Sequence, residues 1–164
     1  MANIPHKTEA KKSAIPKSRI KVLVLHGPAF NLLGPREPDV YACETIATID
    51  ARVAAEAKTA GIDFVTFQSN HEDELIGRVR AAVAEGAGFI VIDPAGLTHT
   101  SVQLRAALSR VAIPFIEVHL ANGDAREPFR QRSYVADKAV GTIVGLGAQG
   151  YELALTYALR HVKE

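Results

Sequence analysis

The stretch Gly88-Phe89-Ile90-Val91-Ile92-Asp93-Pro94-Ala95-Gly96-Leu97-Thr98-His99-Thr100-Ser101 decides the fold of this chain. From Phe89 to Ile92 it is apolar without alternation. A sheet wetted on one side would alternate, so the run reads as a strand covered on both faces, as in a parallel sheet flanked by helices. Pro94 and Gly96 then break the strand, and the hydroxyls of Thr98, Thr100 and Ser101 stand where a following helix needs side-chain caps. Strand, polar turn and capped helix make one βα unit.

Outward from this unit the same alternation recurs. Strands are expected over 20–25, 63–68, 88–93, 114–120 and 140–144. Helices are expected over 45–60, 72–85, 101–111 and 149–161, where Ala, Ile, Leu and Val fall at helical spacing. The layout is α/β: a doubly wound, five-stranded parallel sheet in three layers, forming a single domain over 19–164. Residues 1–18 carry Lys7, Lys11, Lys12 and Lys17 with two prolines and almost no large apolar side chains, so a disordered tail is expected there.

Composition narrows the partners. The 164 residues are 48% apolar, enough for one continuous core. Lys and Arg number 19 against 18 Asp and Glu, a net charge of +1, so no global field draws nucleic acid or anionic membrane. No apolar run approaches the ~20 residues that cross a bilayer, and the N-terminus lacks the hydrophobic block of a signal peptide. The lone Cys43 can form no internal disulfide, in keeping with a reducing compartment. The expectation is a cytoplasmic protein with a small-molecule ligand.

In a doubly wound sheet the ligand lies beyond the carboxyl ends of the strands, where the strand order reverses. The first strand runs into a long Gly- and Pro-rich connection from His26 to Tyr41, of the kind that serves as a lid. Within it Arg36 can favour the phenolate of Tyr41 and make it a base, although loop packing accounts for the same residues. After the fourth strand, Glu117 and His119 are two apart and share a face, so the carboxylate can orient the imidazole and keep it protonated. That arrangement suits a general acid and equally a structural pair. His99 sits among hydroxyls read as helix caps, either as a ligand contact or as a surface group. A polar stretch that ends in Arg126 and Arg130 follows.

Other signals are weak. Gly145-Leu-Gly147-Ala-Gln-Gly150 matches the dinucleotide-binding spacing but follows the last strand, so it reads as close helix–strand packing. There is no Walker A sequence, no G-x-S-x-G and no His/Cys metal spacing. No feature activates Cys43.

Six segments in order resemble the type II 3-dehydroquinate dehydratases between about residues 20 and 159. They are Asn31-Leu-Leu-Gly34 with Arg36-Glu-Pro38 and Tyr41, Gln68-Ser-Asn-His-Glu72, Thr98-His-Thr-Ser101, Glu117-Val-His-Leu120, Ala125-Arg-Glu127 with Phe129-Arg130, and Gly147-Ala-Gln-Gly150. The resemblance implies a flavodoxin-like fold, no metal or organic cofactor, and a dodecamer of trimers. It also implies dehydration of 3-dehydroquinate to 3-dehydroshikimate through an enolate. Tyr41 then resembles the base, with Arg36 lowering its pKa, and His119 resembles the acid, oriented by Glu117. His99 and Arg130 resemble the groups that hold ring hydroxyls, and the backbone amides of Leu120 and Ala121 those that receive the carboxylate.

Departures from the family pattern cluster in the pocket. His26 and Ala29 replace asparagines, the second of which holds the water that stabilises the enolate. Asp93 replaces an amide that meets the substrate carboxylate; at ~4 Å and an effective dielectric near 20, two such anions repel by about 4 kcal/mol. Asp93 is therefore protonated, turned away or serving another ligand. Ala121 replaces a serine, and Ala106 an aspartate offered to a neighbouring subunit. The alternatives are an enolising lyase on a different cyclic hydroxy-ketone and a non-catalytic metabolite-binding paralogue.

Overall fold

The computed structural model describes residues 21–33 and 44–162. The sheet is built from β1 (Lys21–His26), β2 (Asp63–Gln68), β3 (Ala87–Asp93), β4 (Phe115–His119) and β5 (Gly141–Val144). These lie in the order β2-β1-β3-β4-β5, every pair parallel. Between and after them come α1 (Ile46–Ala60), α2 (Glu72–Ala84), α3 (Val102–Val111) and α4 (Gln149–His161). This is the α/β, doubly wound, flavodoxin-like layout expected from the sequence. The expected tail and the candidate residues Arg36, Tyr41 and Cys43 lie outside the described residues.

The continuous apolar runs divide by the period of two that a strand imposes. Val22, Val24, Phe89, Val91, Ile116 and Val118 face α1 and α4, where they meet Ile49, Val53, Tyr151 and Leu155. Leu23, Leu25, Ile90, Ile92 and Phe115 face α2 and α3, where they meet Val79, Leu104 and Leu108. Full burial of each such side chain contributes roughly 1.5–3 kcal/mol, so the central strands are apolar on both faces because both faces are covered. The edge strand β2 keeps Asp63 and Thr66 exposed. Among the described residues no helix is long and apolar enough to cross a membrane.

Two local features fix the carboxyl ends of the strands. Strand order reverses between β1 and β3, where Gly27 N–H donates to Asp93 O at 2.7 Å. A Cβ on Gly27 would lie 2.4 Å from Pro94 O, so no other residue fits this crossing without moving the two strand ends apart. On the far side, the glycine segment after β5 reaches back to β4, with Gly145 N–H donating to His119 O and Gly147 N–H to Leu120 O, each at 3.0 Å. Gly145 and Gly147 have φ of 84° and 58°, the left-handed region that glycine adopts without strain. Gly150 then brings α4 close enough for a Cβ there to meet Val118 at 3.1 Å, the helix–strand packing expected of this motif.

Candidate active site

The ends of β1, β3 and β4 surround a cavity of about 560 Å³ that opens where the strand order reverses. Ala29, Asp93, His99, Glu117, His119, Leu120, Ala121 and Arg130 border it, and the connections after β3 and β4 close its sides. Side chains distant in sequence thus meet at the switch point.

Glu117 and His119 project from β4 as their spacing implies. His119 Nε2 lies 2.7 Å from Glu117 Oε1. The carboxylate is only 1% exposed and is satisfied from several directions. Thr98 Oγ1 donates to it through a short hydrogen bond. Ser133 Oγ accepts the N–H groups of Val135 and Ala136, which leaves its one hydrogen for Glu117, 2.8 Å away. Burial alone would push the Glu117 carboxyl up, but hydrogen bonds from His119 and Thr98 and the charge of His119 hold it below its usual range. Burial would pull His119 down, but the hydrogen bond to Glu117 and the charges of Asp93 and Glu117 hold it above its usual value. Both shifts favour the charged forms, a carboxylate on Glu117 and an imidazolium on His119. With Nε2–H committed to Glu117, Nδ1–H is the proton available to a ligand.

Thr98 corrects the reading of the sequence. Its hydroxyl was expected to cap the next helix, yet Ser101 alone does so, accepting Leu104 N–H at 2.8 Å. Residues 95–99 first form a turn of 3-10 helix, which carries Thr98 inward to Glu117. Asp93 also has a partner that spacing did not reveal. Its Oδ1 accepts Ala95 N–H at 2.9 Å and stands 3.5 Å from His119 Nδ1. Both contacts are to groups of the protein itself. Burial, with the charge of Glu117, holds its carboxyl above its usual value, and the charge of His119, the Ala95 N–H and His26 offset this only in part.

The remaining candidates take varied positions. His99 Nδ1 donates to Arg132 O at 2.7 Å, and the ring stands edge-on to Phe129 at the cavity wall. Arg130 lies over Phe129 and pairs through Nε with Glu127 at 2.7 Å. Leu120 and Ala121 border the cavity where β4 ends. Ala29 has a φ of 66°, and its N–H donates to Asn70 Oδ1 at 2.9 Å. Ala106 is exposed on α3 and is not among the cavity residues.

A second polar cluster was invisible in the sequence. His26 is fully buried, with Nδ1 2.9 Å from Tyr151 Oη and Nε2 2.9 Å from Asp50 Oδ1. Burial and the charges of Asp93 and Asp50 push the Tyr151 phenol well above its usual value, so it keeps its hydrogen. The ring of His26 stacks on Phe30, 5.3 Å between centroids, and Phe30 forms part of the cavity wall. The partners are 24 and 125 residues away from His26, a separation that no local pattern records.

The family model described as Dehydroquinase class II matches residues 20–159. The chain is 57% identical over 143 residues to 3-dehydroquinate dehydratase 1 of Ralstonia nicotianae, a match that covers 87% of this chain and 92% of that one. It is 56% identical over 141 residues to the 3-dehydroquinate dehydratase of Bordetella pertussis, covering 86% and 98%. The crystal structure of type II dehydroquinase from Butyrivibrio crossotus superposes with a TM-score of 0.84 at 37% identity, over 86% of this chain and 98% of that one.

The linked charges of Glu117 and His119 give stability a signature in pH. Glu117, held low, contributes above the ordinary carboxylate midpoint and loses its contribution as pH falls through its lowered value. His119, held high, contributes below the ordinary histidine midpoint and loses its contribution as pH rises through its raised value. Glu117→Gln is expected to lower stability by about 1–3 kcal/mol near about pH 5.5. Urea denaturation across pH should show this deficit shrinking at both ends, and a deficit independent of pH contradicts the assignment.

Proposed function

The chain belongs to the class II dehydroquinase family, and from that premise we propose that it dehydrates 3-dehydroquinate to 3-dehydroshikimate through an enolate. It is an enzyme, a hydro-lyase of this family. The observation that carries the reading is the buried Glu117–His119 pair, in which Glu117 takes the Nε2 side of the ring and His119 borders the cavity.

Tyr41 is the base. Arg36, on the same connection, favours its phenolate, which takes the proton from the carbon beside the ketone and leaves the electron pair as an enolate. His119 is the acid. As the enolate collapses, the carbon–oxygen bond to the departing hydroxyl breaks, and Nδ1–H of His119 protonates that oxygen so that it leaves as water. The carbonyl re-forms with a new double bond beside it. The proton gained by Tyr41 and the one lost by His119 balance, and exchange with water restores both groups. Glu117 holds the imidazole in place and stabilises its charge between turnovers.

His99 and Arg130 hold the ring hydroxyls of the substrate, and the backbone amides of Leu120 and Ala121 receive its carboxylate. The bond from His99 Nδ1 to a carbonyl supports this by leaving Nε2 as an acceptor for a hydroxyl. Asp93 lies close to the carboxylate position and favours a second reading, in which the substrate is a related cyclic hydroxy-ketone without an acid group. We further propose that residues 19–164 act as one catalytic domain of a cytoplasmic enzyme, working without a cofactor as trimers assembled into a dodecamer.

Mixing purified protein with 3-dehydroquinate should produce the enone absorbance of 3-dehydroshikimate, and Tyr41→Phe should lower the rate by ~10²–10⁴ with the fold intact. More than about a tenth of the rate surviving in that variant removes Tyr41 from the role of base. Light scattering should give the mass of the dodecamer; a monomer at assay concentration contradicts the proposed assembly.

A further inference from the structure

We propose that Asp93 is a positioning residue for His119: its carboxylate holds the Nδ1 side of the ring while Glu117 holds the Nε2 side, so the imidazole is kept charged and aimed into the cavity. This inference rests on His119 being the acid of the reaction proposed above.

The two contacts differ in kind. Glu117 is 2.7 Å from Nε2 and makes a hydrogen bond. Asp93 Oδ1 is 3.5 Å from Nδ1, within ion-pair range but too long for a strong hydrogen bond. The Nδ1–H is thus attracted without being consumed, and it stays available to a departing oxygen. The Asp93 side chain is 4% exposed, so solvent screens this attraction little.

The backbone builds the carboxylate into this place. Asp93 is in register with His26 across β1 and β3, its carbonyl accepts Gly27 N–H, and its Oδ1 accepts Ala95 N–H. None of these contacts requires a charge, because an amide oxygen would accept the Ala95 N–H equally well. The charge is what Asp93 adds, and among the described residues His119 is the cation in ion-pair contact with it. Other ionisable groups are arranged around this contact. His26 faces Asp93 from β1 and is itself held by Asp50 of α1 and Tyr151 of α4. Across the cavity stand Asp124, Arg126, Arg130 and His99. Once His119 has given up its proton, the neutral ring lies between two carboxylates, and this favours its recharging for the next turnover.

The test is Asp93→Asn, which keeps the size of the side chain and its acceptor for Ala95 but removes the charge. With histidine labelled in both ring nitrogens, NMR titration of the ligand-free protein reads the ionisation of His119 without needing turnover. The midpoint should move to lower pH in Asp93→Asn, and the basic limb of the kcat/KM profile with 3-dehydroquinate should move with it, while circular dichroism stays like that of the parent. An unchanged His119 midpoint in a folded variant overturns the proposal. Should the variant not fold, the parent protein decides alone: at the ordinary histidine midpoint, near pH 6.5, more than half of the His119 rings should carry both protons, and a mostly neutral ring contradicts the bracket. A shifted midpoint in a protein whose parent does not turn over 3-dehydroquinate supports the bracket and defeats the assigned reaction instead.

Discussion

The hydrogen bond from His119 Nε2 to Glu117 Oε1 is the interaction around which the site is organised. A carboxylate that is 1% exposed is costly unless its oxygens are occupied, and here Thr98, Ser133 and His119 occupy them. Meeting that requirement draws in the turn after β3, through Thr98, and the segment after β4, through Ser133. The same contacts that make the anion tolerable therefore close two sides of the cavity. Desolvation and ion pairing oppose one another at both partners, and pairing prevails at both.

Topology sets where this pair can act. With the order β2-β1-β3-β4-β5, the connections after β1 and β3 turn to opposite faces of the sheet, leaving a crevice between them. Gly27 allows β1 and β3 to approach at its floor, and the glycines after β5 hold the end of β4 by hydrogen bonds to the carbonyls of His119 and Leu120. A functional group at the end of a braced strand loses little conformational freedom when it meets a ligand, which is the condition for precise acid–base work.

The sequence made the sheet legible because burial on both faces leaves an unmistakable signature in β3 and β4, and because Glu117 and His119 share a face by the period of a strand. What it concealed were choices among partners. Thr98 stands where a helix cap belongs, and only the intervening 3-10 turn sends it to Glu117 instead. Asp93 was recognisable as a potential anion in the pocket, yet its distance to His119 depends on how β3 and β4 lie side by side. His26, Asp50 and Tyr151 come from β1, α1 and α4, so their contact exists only once the layers have packed. Local periodicity records burial, whereas polar pairing across layers is decided by the fold.

These pieces describe a site in which a buried carboxylate, Glu117, holds the His119 imidazole at the edge of a cavity, the arrangement on which the proposed role of His119 as acid rests. The measurement that bears on this most directly is the rate of enone formation from 3-dehydroquinate by His119→Gln beside the parent enzyme. If His119 is the acid, the variant folds and binds substrate but turns it over slower by ~10²–10⁴. A rate within about tenfold of the parent would show that the proton comes from elsewhere, and the central claim would fall.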